Sequence, residues 1–159
     1  MYPEKEYKEL IEKIKIKVKE ELKKNSSEKI SELNLDTARK LADTAVKKAL
    51  EINVNVAVAV MDRHGNMILL YRMDNSVLAA VEVAEKKAYT SAALRIPSSD
   101  VLNSGFDKLV ETLEGKIAAF GGGIPIKING KMAGALGISG GSAKEDVEIA
   151  EYAINAVFG

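Results

Sequence analysis

The chain contains no cysteine. Disulfides and thiolate ligation of a metal or of haem iron are therefore excluded. It has a single histidine, His64, which removes any multi-histidine metal site. No stretch reaches eighteen consecutive apolar residues, so no membrane-spanning helix is expected. Net charge is absent as well: Lys plus Arg and Asp plus Glu number 23 each. A balanced chain builds no field for nucleic acid, which is not an expected partner. The start, MYPEKEYKEL, is acidic and lacks a secretory apolar stretch, so a cytoplasmic protein is expected.

What is present suits one domain with a sizeable core. The chain has 159 residues, 47% of them hydrophobic and 29% charged, an ordinary globular balance. The charge is unevenly placed. Lysine and glutamate crowd the first 24 residues, whereas 117–141 carry only Lys127 and Lys131.

Residues 4–24 read as a charged amphipathic helix. Tyr7, Ile11, Ile14, Val18 and Leu22 recur at spacings of four, three, four and four. So narrow a stripe serves either to pack on the flank of a domain or to make contacts between copies. Asn25-Ser26-Ser27 then breaks the pattern. A second helix is expected over 35–50, capped by Asn34, with Leu33 placed to staple against Ala38. The period next changes to two. VNVAVAVMD and NMILLYRM flank DRHG, a β-hairpin signal with Gly65 at positive φ. Both faces of the first strand are apolar, which predicts a central strand covered on both sides. Residues 77–94 return to helical spacing, with Val77, Val81, Ala84, Ala88 and Ser91 inward and Pro97 as the stop. Residues 98–116 are the least regular and suit a lid or rim over a pocket.

Eight of the twelve glycines fall between Ala119 and Ser142. Such density is entropically costly and calls for close approach of backbone to backbone or to a ligand. A short strand is expected near Ile117–Phe120, before Gly121, Gly122 and Gly123. IPIKI and KMAGALGIS then pair across Asn129-Gly130, a strong type I′ hairpin signal. Pro125 places its strand at an edge. Ser142 and Glu145 form a capping box that opens the last helix. The order of elements predicts an α/β sandwich: a five-stranded, mostly antiparallel sheet flanked by helices. The triple glycine lacks the spacing of a dinucleotide fingerprint, and a hairpin follows it where that motif needs a helix.

VAVMDRHGNMILLYRMDNSVLAAVEVAEKKAYTSAAL, followed by GGGIPIKINGKMAGALGISGGSAKEDVEIAEYAI, resembles the GlcG/HbpS family, which includes the C-terminal domain of PduO-type proteins. The resemblance covers about residues 34–158. It implies a GlcG/HbpS-like domain over 34–159 and leaves 1–33 as a charged helical extension. It further implies a profilin-like fold, a homo-oligomer of four or eight chains, and binding of a small molecule, haem or a corrinoid. Two alternatives stand beside this. One is a lyase acting on a small aromatic or hydroxy-acid substrate. The other is a structural or regulatory oligomer with no small ligand.

Several residues are candidates for ligand contact. His64 offers an axial imidazole, or is simply a turn residue facing solvent. Arg72, where the hairpin meets the long helix, suits a carboxylate or propionate, or pairs with Asp74 or Glu82. By the resemblance, KAYT lies in the middle of the long helix and faces the open end of the sheet. Lys87 and Thr90 share a helical side, and with Tyr89 they would line a pocket for an anionic ligand. Gly121, Gly122 and Gly123 present backbone N–H groups able to wrap an anion, or form a tight bend with none. The methionines, Met61 and Met67 among them, read as core or interface filler.

Overall fold

A computed structural model describes residues 4–27 and 32–159. The chain divides into two units, residues 1–31 and 32–159. The first contains helix α1, Glu4–Ser27. Tyr7, Ile11, Ile14 and Val18 are exposed along it. The side chain of Leu22, the fifth expected position of the stripe, lies outside the described residues. The helix runs through Asn25 to Ser27, beyond the break expected there.

The second unit is built on four antiparallel strands: β1 Ala57–Asp62, β2 Met67–Arg72, β3 Gly123–Ile128 and β4 Lys131–Ser139. Their order across the sheet is β2-β1-β4-β3. The helices are α2 Leu35–Glu51, α3 Ala79–Leu94, α4 Asp107–Thr112 and α5 Ala143–Phe158, with a 3-10 turn over Ser98–Asn103. Both expected caps are present. Asn34 accepts from Thr37 N at 2.9 Å, and Ser142 and Glu145 form the reciprocal box.

The sheet has four strands, not the five expected. The segment read as a strand near Ile117–Phe120 has its backbone groups satisfied elsewhere. Ala118 N donates to Thr90 Oγ1 at 2.9 Å, and Phe120 O accepts from Ser98 Oγ at 2.6 Å. Side chains of α3 and the 3-10 turn thus take the place of a ladder, and strand pairing begins only at Gly123.

Strand β1 is central and almost wholly buried. Alternation of side chains divides its two faces. Ala57, Ala59 and Met61 cluster with Ala80, Ala84 and Ala88 of α3. The opposite face is covered by α2 over β1, with Val58 and Val60, and by α5 over β4 and β3, and the two helices also pack on each other. Small residues set the thickness on the α3 side. A β-carbon on Gly137 would run into Ala84 O and Ala88 N, and one on Gly123 into Lys87 O. Helix α3 lies with its backbone directly on the sheet, and these glycines allow it. The β3–β4 turn has Asn129 and Gly130 at φ 52° and 76°, the double positive φ expected of the Asn-Gly pair.

Candidate functional site

Lys87 projects from the middle of α3 into the protein and is 1% exposed. Its ammonium donates to Asp146 Oδ2 at 2.7 Å and to Ile138 O at 3.0 Å, and lies 4.7 Å from the centre of the Phe120 ring. Asp146, in the first turn of α5, is 2% exposed and also accepts from Gly141 N at 2.9 Å. The ion pair therefore joins α3, the end of β4 and the start of α5. Burial pushes the Lys87 ammonium below its ordinary range, and the hydrogen bond it donates to Asp146 opposes that shift. Burial likewise pushes the Asp146 carboxyl up, against the hydrogen bonds from Lys87 and Gly141.

The glycine run folds over this pair. Gly122 has φ +123°, and a β-carbon there would meet Lys87 Nζ, Asp146 Cβ and Ile138 O. Gly121 rests on Val147 and Ala143 of α5. Lys87, Gly121, Gly122 and Gly123 are thus brought together around Asp146, in packed protein. Thr90 is buried beside them, donating to Lys86 O at 2.6 Å while accepting from Ala118 N.

The open space lies on another side of α3. A cavity of about 440 Å³ is lined by Met61, Met67, Glu85, Lys86, Tyr89 and Lys116, with Gly65 and Gly115 at its edge. That size suits a small organic ligand. Its apolar surface comes from the two thioethers and the half-buried Tyr89 ring, which lies close under Gly65. Its charges come from Lys86 and Lys116 against Glu85. Lys86 also holds Glu82 at 2.6 Å across an exposed helical turn, a bond readily exchanged for a ligand anion.

Tyr89 is the expected ligand contact that lines this cavity. His64 is exposed in the adjoining β1–β2 turn, where Arg63 Nε donates to its Nε2 at 3.1 Å and Asp62 accepts from its backbone N–H. Arg72 closes its own connection by donating from Nη2 to Ser76 O at 2.8 Å. Met61 and Met67, expected as filler, are cross-strand partners in the β1–β2 hairpin and line the cavity. Lys86, next to Lys87 in sequence, had no expected role. Glu85, Lys86 and Tyr89 share a side at i, i+1 and i+4, a signal that was available. Asp146 gave no local signal, because its partner is 59 residues away. Among the described residues, no group of three or more acidic or histidine side chains is placed to hold a metal ion, and no helix is long and apolar enough to cross a membrane.

A layered α/β domain with a buried ion pair at its centre and an amphipathic cavity on its flank defines a small-molecule binding class. Residues 33–155 match the family described as haem degrading protein HbpS-like, and the chain belongs to that family. It is 37% identical over 136 residues to a 15.0 kDa protein of the dhaT-dhaS intergenic region of Citrobacter freundii, covering 82% of this chain and 96% of that one. It is also 37% identical over 130 residues to the corrinoid adenosyltransferase PduO of Salmonella typhimurium. That match covers 79% of this chain but only 39% of PduO. A crystal structure of a PduOC–haem complex superposes with a TM-score of 0.75 at 34% identity, covering 79% of this chain and 94% of the other.

Proposed function

We propose that this protein binds haem in the cavity between α3 and the β1–β2 hairpin. The observation that carries the reading is the pairing of an apolar wall (Met61, Met67, Tyr89) with two lysines, Lys86 and Lys116. Haem is an apolar macrocycle with two carboxylates on one edge, and the residues present fit it. The lysines would hold the propionates, and the walls would take the ring. The available iron donors are the thioethers of Met61 and Met67, the Tyr89 phenol, and the His64 imidazole in the adjoining turn. Bound there, haem would supply iron-centred redox chemistry. The family description and the haem-bound PduOC structure support this reading. A corrinoid fits less well, because its ring is fringed with amide arms that need polar partners, which two methionines do not offer. The profilin-like description, a homo-oligomer of four or eight chains, and residence in the cytoplasm belong to the same reading.

Titration with haemin, followed by absorbance, tests it. A saturable Soret shift is expected, and Lys86→Ala combined with Lys116→Ala should weaken binding about tenfold, the effect of losing two partly exposed charge contacts. Met61→Leu and Met67→Leu together should move the Soret maximum if a thioether meets the iron. Absence of a saturable shift would sink haem binding. A shift indifferent to every cavity substitution would remove the site. Hydroxocobalamin titrated in parallel should give no saturable change.

A further inference from the structure

Helix α1 lies outside the stretch that matches the family, which begins at residue 33. Its apolar residues are ordered nonetheless. Tyr7, Ile11, Ile14 and Val18 are spaced by four, three and four, and they are 59%, 37%, 53% and 50% exposed. Tyr7 and Ile14 stand seven apart, as do Ile11 and Val18, the heptad repeat that keeps a seam facing a partner helix along a left-handed supercoil. In heptad terms Ile11 and Val18 occupy a, and Tyr7 and Ile14 occupy d. Glu4 at the preceding a and Glu21 at the following d bound the seam at four layers.

The residues beside the seam decide between orientations. Positions e are Lys8, Lys15 and, past the seam, Leu22; positions g are Leu10, Lys17 and Lys24. In an antiparallel pair e faces e, which sets Lys8 against Lys15 of the other copy, twice over. In a parallel pair g faces the following e, which sets Leu10 against Lys15, and the lysine stem lies over leucine with its charge in water. In-helix partners also occupy these lysines: Lys8 reaches Glu4 at 2.9 Å and Lys15 reaches Glu12 at 3.1 Å. Ile11 and Val18 at a with Ile14 at d favour three or four strands over two, and Tyr7 occupies the other d position. Leu10, 54% exposed at g, widens the apolar face as such a bundle requires.

We infer that the α1 helices of several copies of this chain associate in parallel, in register, as a short three- or four-stranded bundle. A seam of four layers reinforces an assembly of chains and holds its N-terminal helices together.

The absence of cysteine from the chain makes a clean test. Ile14→Cys and, separately, Ile11→Cys are introduced into the full chain, with Ile16→Cys as the control. Ile16 is 55% exposed and stands on the opposite side of the helix, at f. Under mild oxidation the two seam variants should each form covalent dimers at least about tenfold faster than the control, because a bundle raises their effective concentration. Equal rates for seam and control would overturn the bundle. Cross-linking only in a mixture of Ile11→Cys and Ile14→Cys chains would overturn the parallel orientation, since those two positions meet in an antiparallel pair.

Discussion

Lys87 is a charged residue with almost no water and three partners: a carboxylate, a carbonyl and an aromatic face. Removing one member of such a pair strands the other charge. Lys87→Met should therefore cost about 3–5 kcal/mol, while Lys87→Met with Asp146→Leu should recover most of the loss. Urea unfolding of the three proteins checks this, and a double variant no better than the single would refute it. Gly122→Ala is expected to destabilise as well, by about 1–3 kcal/mol or more, since it combines positive φ with contact on the ion pair. The resemblance marked Lys87 as a pocket-lining residue, whereas it is buried in an ion pair whose partner the sequence did not show. Helical spacing reports neighbours within a turn or two, whereas Asp146 arrives through the whole β3–β4 hairpin.

At the scale of elements, local grammar carried the reading well. Alternation in VAVAV gave a strand buried on both faces, Asn129-Gly130 gave the β3–β4 hairpin, and the Asn34 and Ser142 caps began helices where expected. The reading failed at Ile117–Phe120, where Thr90 and Ser98 supply bonds that a short apolar segment cannot advertise. The cap of α5 makes a further test. The backbone N–H of Ser142 donates to Glu145 and holds its carboxyl below the usual range. A lowered carboxyl contributes stability above the ordinary glutamate value and loses it as pH falls through the folded one. Glu145→Gln should thus be less stable than the parent at neutral pH, and the difference should close in acid, as urea midpoints at the two pH values would show. Gly137→Ala tests the bed of α3. It should destabilise by about 1–3 kcal/mol and weaken haemin binding too, because α3 carries Glu85, Lys86 and Tyr89.

At the scale of the whole molecule, apolar residues remain on the surface of the 32–159 unit. Val77 and Leu78 at the start of α3 are 65% and 80% exposed, and Met67 and Leu70 of edge strand β2 are each 39% exposed. Such surface is usual where copies meet. Light scattering should give a solution mass several times that of one chain, and a strict monomer would refute the proposed homo-oligomer. The shared stretch spans nearly all of the Citrobacter freundii protein and a minority of PduO, so the same domain serves alone and as part of a longer chain.

The cavity is bounded on one side by elements the core cannot spare, β1 and α3, and on the other by Gly115 and Lys116, just after α4. A β-carbon at Gly115 would meet nothing within 4 Å, but its φ of +73° favours glycine, so the freedom to change lies at the exposed Lys116 beside it. Evolution can therefore recut this second wall while the alanine-and-glycine interior stays fixed. Chains of one architecture can in this way diverge in ligand choice at little cost to folding.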